Sequence, residues 1–253
     1  MLPDLRIWLN HFEYHAQHPR CVPDGLADVL TGEERRLIAS SIATFQLAEY
    51  SQGCTLRCAV RRFAYRNSKP ELERIMELFV REQQRHADLL REFMTDHGMP
   101  VKNRSWTDLM FRALRRLAGF ELYLHVLVAA ELIGNVYYRA LETVTGSQRL
   151  KVLCRTLVAD ELAHIAFESE MVRELRAQRP RTMQSLNRLA HQAFFACAAL
   201  AVWTSNHAVL RAAGYGAGTF IRTCRVQYSF YLDLPRRPVS VLVNAPPRTQ
   251  RFT

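Results

Sequence analysis

Residues 79–90 read FVREQQRHADLL and residues 157–167 read LVADELAHIAF. Laid over each other, Glu82, Gln83 and His86 fall on Asp160, Glu161 and His164. The second copy holds Glu-x-x-His and the first Gln-x-x-His. On a helix an i, i+3 spacing turns both side chains to one face, so each copy presents two ligand-type groups in one direction. The copies differ there by a single amide, Gln83.

Two further carboxylates stand apart from these motifs. Between Arg36 and Arg57 the only formally charged residue is Glu49, and between Glu121 and Arg139 it is Glu131. A carboxylate centred in a long apolar stretch of a bundle helix points inward, and its isolated burial costs many kcal/mol unless the charge is neutralised. A protonated histidine, an arginine or a metal ion could neutralise it. Glu49 lies eighteen residues before a turn near Asn67 and His86 nineteen after it; at about 1.5 Å per residue the two share one level of an antiparallel hairpin. Glu131 and Glu161 stand fifteen residues either side of Gly146. Each hairpin therefore sets a lone glutamate against a two-residue motif.

Helix punctuation frames these positions. A capping box at Thr31–Glu34 opens apolar periodicity from Leu37 to about Tyr65, and a second box at Ser68–Glu71 opens a helix to Gly98. A third span runs from Ser105–Asp108 to Gly146, a fourth from Ser147 to about Gln178, and a fifth from Thr182 to Ala213 before Gly214. Long helices with short turns predict an all-α chain, an antiparallel four-helix bundle with an additional C-terminal helix. The expected organisation is an N-terminal extension over 1–30, the bundle over 31–214 and a basic tail over 215–253. Alternating strand character occurs only at Val239–Val243.

From Thr31 to about Gln178 the chain resembles the ferritin-like superfamily of di-iron and iron/manganese carboxylate proteins. EQQRHADLL is similar to the EENRHGDLL type of motif in acyl-carrier-protein desaturases, and DELAH to the DE-x-x-H motif shared with ribonucleotide reductase small subunits. The resemblance implies an O2-dependent oxidoreductase (oxygenase, desaturase or oxidase) with two iron ions, or iron and manganese, and an external electron donor. Glu49, Glu131, Glu161, His86 and His164 would be the ligands, the three glutamates carrying the catalytic centre, with Gln83 in the sixth ligand position. Asp160 would accept a hydrogen bond from His86, and Glu82 from His164, fixing each ring.

A neutral amide binds a hard cation more weakly than a carboxylate, so Gln83 leaves three carboxylates for two M(II) ions. Three outcomes follow. Glu82, or Glu168 one turn beyond His164, serves as a substitute ligand; one metal alone is held firmly; or metal is lost and Gln83 hydrogen-bonds to a glutamate. The first two make an asymmetric metal site. The third makes a catalytically silent ferritin-like binding or assembly protein, and a ferritin-type storage shell is a weaker option. Gly53 and Gly134 beside the ligands point to space for dioxygen or substrate, and Tyr50, Tyr137 and Tyr138 lie within reach of them.

Composition sets the remaining expectations. No apolar run is long enough for a membrane span, and the chain reads as cytoplasmic. The six cysteines read as buried free thiols rather than a disulfide framework, Cys54 and Cys58 included. His11, His15 and His18 read as a surface segment. Net charge is +10, and from Arg222 to Thr253 six arginines face one acid, Asp233. That tail suits an acidic protein partner or a substrate that is carrier-bound or negatively charged. Nothing supports nucleic acid. The substrate is otherwise a small molecule, and a homodimer is the expected assembly.

Overall fold

The capping box at Thr31 forms as the sequence predicts: Thr31 Oγ1 accepts from Glu34 N, and Glu34 returns a carboxylate to Thr31 N. Its helix is one of eight in the computed structural model, which describes residues 3–50, 54–102 and 119–233. These are α1 (Leu5–Gln17), α2 (Gly32–Glu49), α3 (Cys54–Asn67), α4 (Glu71–Asp96), α5 (Phe120–Thr143), α6 (Gln148–Ala177), α7 (Arg181–Ala212) and α8 (Ala217–Tyr228), followed by a π-helical turn, Ser229–Asp233. No strand occurs among the described residues. The tail beyond Asp233, with the Val239–Val243 alternation and Arg236, Arg237, Arg248 and Arg251, lies outside them, as does Gly53.

Helices α2, α4, α5 and α6 make the bundle, α2 packing on α4 and α5 on α6. One end is tied together by charge. Glu34 at the start of α2 accepts from Gly146 N in the α5–α6 turn, and Arg149 of α6 binds Asp28, Glu92 and Asp96. The end of α4 and the end of α5 thus meet at the same end, so α5 starts at the end of the bundle opposite to where α4 finishes. α1 lies on α4, burying Leu5, Trp8 and Phe12. α7 packs on α5 and α2, and α8 on α7 and α5, burying Phe220, Cys224 and Tyr228.

Several boundaries differ from the sequence reading. The first long helix is two, because Tyr50 leaves helical geometry (φ −72°, ψ 84°) within Tyr-Ser-Gln-Gly, where tyrosine, serine and glycine are poor helix formers. Within the third, Gly119 is extended and a helix starts at Phe120; the expected residues 105–118 lie outside the described set. The second capping box does not form. Pro70 occupies the N-cap with no side-chain bond, because Ser68 is used to end α3 instead. It takes a left-handed conformation (φ 51°), with Ser68 N–H on Tyr65 O and Lys69 N–H on Ala64 O, the Schellman pattern. Glycines at 98 and 214 close α4 and α7 the same way, at φ 59° and 85°.

The thiols also differ. Cys154 and Cys224 are buried, but Cys21, in the coil after α1, and Cys58 and Cys197, on helices that turn only one face to the core, are exposed. Among the described residues two helices, α5 and α7, are long and apolar enough to cross a bilayer by composition. Most of α5 is inside the protein, whereas α7 is less than half buried and exposes Met183, Leu186, Leu189 and Leu200.

Candidate metal centre

The bundle brings Glu49, Gln83, His86, Glu131, Asp160, Glu161 and His164 into one buried group, and the hydrogen bonds of the two histidines fix how each ring is used. His86 Nε2 lies 3.1 Å from Asp160 Oδ2 and His164 Nε2 3.0 Å from Glu82 Oε2. An ionised carboxylate can only accept, so each Nε2 carries the proton. Asp160 is held well below the usual carboxylate range, burial being outweighed by bonds from His86 and Arg20. Glu82 is lowered to about 2, burial again being outweighed, here by His164.

In a neutral ring each Nδ1 is then a bare lone pair. His86 Nδ1 has no hydrogen-bond partner and faces Glu49 Oε2 at 4.0 Å; His164 Nδ1 faces Glu131 Oε1 at 3.7 Å. His86 thus aims a bare acceptor at a carboxylate, which is also an acceptor, and His164 does the same whenever its ring is neutral. Ligand atoms of Glu49, His86 and Glu161 all lie within 4.8 Å of one another. Glu131 Oε2, Glu161 Oε2 and both oxygens of Glu168 are buried without a hydrogen-bond partner. Among the described residues no lysine or arginine pairs with Glu49, Glu131, Glu161 or Glu168; His86 faces Glu49 and His164 faces Glu131. A cation among the lone pairs would satisfy all of them at once.

Without one, the group holds protons. Burial, with the charge of Glu131 adding to it, pushes Glu49 up to about 7 against the pull of His86. Burial followed by neighbouring carboxylates raises Glu161 and Glu168 well above the usual range. Burial opposes a charge on His164, but its bonds to Glu131 and Glu82 raise it nonetheless.

Gln83 donates from Nε2 to Glu131 Oε1 in a short contact, and the same nitrogen lies 3.4 Å from His164 Nδ1. The amide nitrogen is therefore set between Glu131 and the His164 ring. Glu82 lies behind His164, its other oxygen 3.6 Å from Arg85. Glu168 is completely buried on the same α6 stripe as Glu161 and His164.

The carboxylate side opens into a cavity of about 100 Å3, lined by Glu49, Gln83, Glu131 and Glu161 and otherwise mainly by apolar side chains, among them Phe45, Phe79, Leu127 and Val202. Gly134 borders it. A Cβ there would meet only Phe45 and Tyr138 rings at 3.9 Å, ordinary contact, so the glycine leaves space rather than permitting tight packing. Tyr138 donates to Glu49 Oε1 at 2.7 Å, whereas Tyr137 receives Ser41 Oγ at 2.6 Å and stacks on Phe45. Tyr50 is part exposed beneath Arg91. Asn206, where α7 leaves helical geometry (φ −126°, ψ 20°), also lines the cavity, with a buried unpartnered Oδ1.

The opposite side faces α1, and it corrects the reading of the histidine segment. His18 is exposed, but His11 and His15 are only partly exposed, because Trp8 and Phe12 seat α1 against α4 and carry them over Glu82. Burial, then His15, lowers His11 to about 4. His15, Glu82 and Asp160 have ligand atoms within 4.8 Å. Asp160 already accepts from Arg20, Arg85 and His86, so a cation is repelled there. Arg20 and Arg85 escaped the sequence reading. Arg85 was findable, one residue before His86; Arg20, 140 residues from Asp160, carries no local signal.

No family model matches the chain, and no curated protein matches it. Among solved structures it is similar to an R2-like ligand-binding oxidase, a tyrosine-to-phenylalanine mutant with an anaerobically reconstituted Mn/Fe cofactor. The TM-score is 0.60 at 12% identity, over 88% of this chain and 92% of that one. The likeness establishes the ferritin-like fold.

Proposed function

We propose that this ferritin-like protein is a metal-carboxylate oxidoreductase that uses dioxygen, with an asymmetric dinuclear site. The observation that carries it is the pair of histidines whose Nε2 atoms bond Asp160 and Glu82, which turns both Nδ1 atoms toward buried glutamates. The Mn/Fe cofactor of the fold neighbour supports the same reading.

Glu49, His86 and Glu161 would hold one ion, and Glu131 and His164 the other, with Gln83 where a sixth carboxylate ligand would stand. Bound iron, or iron with manganese, would supply the electrons that reduce dioxygen. The protein's own part is to orient the two imidazoles, exclude bulk water from the carboxylates, and admit dioxygen and an apolar group to the cavity bounded by Gly134. Tyr138 holds Glu49 in place, and Asn206 gives that cavity a polar point remote from the motifs. An external donor would return the electrons.

Anaerobic loading with Fe(II), or Fe(II) and Mn(II), followed by desalting, should leave near-stoichiometric metal, and admitting oxygen should start O2 uptake. Retention of no metal would sink the proposal. A second reading has its own observation, the Gln83 Nε2 contact on Glu131, which is how a silent site would be satisfied. Gln83→Glu separates the two. In a metal site it raises occupancy of the weaker position. In a silent one it sets like charges together, lowers stability at neutral pH, and recovers as the carboxylates protonate.

A further inference from the structure

Gln83 leaves the Glu131/His164 half with one carboxylate, and two acids on the motif helices, Glu82 and Glu168, could make up the loss. Glu82 is committed. One of its oxygens holds the His164 Nε2 proton and the other lies 3.6 Å from Arg85, both away from the His164 lone pair. Turning it inward would release the ring it orients. Glu168 is uncommitted. It is 0% exposed, and neither of its oxygens has a hydrogen-bond partner. An unbonded buried carboxyl is costly, and an apolar residue would pack that position at less cost.

Its place on α6 gives it a use. Glu161, His164 and Glu168 fall at i, i+3 and i+7; seven residues turn a helix to within about 20° of two full turns. Glu168 therefore projects in nearly the direction of Glu161, one turn beyond His164. The charges acting on it are those of Glu131 and His164, and it in turn acts on Glu161. Both glutamates have a buried, unpartnered Oε2.

We infer that Glu168 is a metal ligand of the Glu131/His164 half, so that the carboxylate missing from α4 at Gln83 is supplied from α6. The inference rests on the metal-centre reading above. With it, four glutamates balance two M(II) ions, and Gln83 is left to hydrogen-bond to Glu131. The dinuclear site is then built mainly on α6, which contributes Glu161, His164 and Glu168.

The test is anaerobic Mn(II) loading of the full chain, with metal analysis after desalting and Mn(II) paramagnetic resonance to detect coupling between ions. Wild type should hold two ions. Glu168→Gln should hold one, with affinity at the second position at least about tenfold weaker, while its metal-free melting temperature equals or exceeds wild type. Adding Gln83→Glu to Glu168→Gln should restore two, because the carboxylate returns from the other helix. Glu168→Asp, which keeps the charge on a shorter arm, should be intermediate. Two ions at unchanged affinity in Glu168→Gln would overturn the inference, and so would a double variant that stays at one. A wild type holding one ion would overturn it while leaving the metal-centre reading in place. A wild type holding none would overturn both.

Discussion

The two halves of the buried site use the same plan with unequal support. In one, His86 is backed by Asp160, completely buried and gripped by both Arg20 and Arg85. In the other, His164 is backed by Glu82, partly exposed, with Arg85 alone at 3.6 Å. Inside, the first half faces Glu49 and Glu161, while the second faces Glu131 and an amide. One half is fixed by charges on both sides of its histidine. The other is fixed mainly by His164 itself, which bonds Glu82 outward and lies against Glu131 and Gln83 inward.

The largest expected effect breaks the better-supported half. Asp160→Asn removes a buried negative charge and one of its two acceptor oxygens, leaving the His86 proton and two guanidinium groups to share one neutral oxygen, which should cost about 3 kcal/mol or more and weaken metal binding by roughly 10- to 100-fold. Glu82→Gln, at a wetter position with one arginine, should cost about half as much in stability. Urea unfolding and metal titration of the two variants check the ranking. Equal losses would show that the arginines add nothing to the support of His86.

A pH titration of the metal-free protein comes next. A carboxyl whose folded value is raised stabilises the fold fully below its unfolded value, and that contribution is lost as pH rises through the folded value. Glu49, lifted to about 7, therefore makes stability fall between roughly pH 4.5 and 7, and the raised Glu161, Glu168 and His164 extend the fall upward. The depressed Asp160 and Glu82 act oppositely, losing their contribution only in strong acid. The loss from Glu49 is on the order of 3 kcal/mol. Thermal melts from pH 5 to 8 should show melting temperature falling without metal and recovering with Mn(II), since binding needs the carboxylates ionised and releases their protons.

Much of this asymmetry is legible in the sequence, because it rests on helical spacing. The i, i+3 motifs, the lone acids Glu49 and Glu131, and the amide at Gln83 need only the 3.6-residue period and two turn positions to be placed at one level. What is not legible depends on contacts between distant segments. Arg20 reaches Asp160 only because Trp8 and Phe12 dock α1, and docking leaves no periodic trace at residue 20. The end at Tyr50 interrupts a helix that apolar patterning alone runs on, since periodicity reports a face and not a break. Asn206 reads as one polar residue in an apolar helix until the kink there turns it to the cavity.

A smaller effect sharpens the inner side of the first half. Tyr138→Phe removes the 2.7 Å bond to Glu49, worth about 1 kcal/mol. Because that bond favours the ionised carboxylate, its loss should raise the pH at which Glu49 ionises and weaken metal binding a few-fold at neutral pH, with little change above pH 8. A Mn(II) titration across pH checks it. A uniform loss at all pH values would mean that Tyr138 acts by packing.

The smallest effect belongs to Arg20→Gln. Arg20 is 42% exposed in its side chain, and Arg85 remains on the other oxygen of Asp160, so solvent screening holds the loss at neutral pH below about 1 kcal/mol. Asp160 also keeps its hydrogen bond from His86, so it stays ionised and the ring keeps its orientation. The difference between variant and wild type should instead grow in acid. A depressed carboxyl gives up its stabilisation as pH falls through the folded value, and removing one of the two guanidinium groups moves that point upward. Melting temperatures should therefore nearly coincide at pH 7 and separate as the pH falls below 4, while Mn(II) affinity at pH 7 changes less than in Tyr138→Phe. A variant as damaged at pH 7 as Asp160→Asn would show that Arg20 alone, rather than the pair with Arg85, holds this half of the site together.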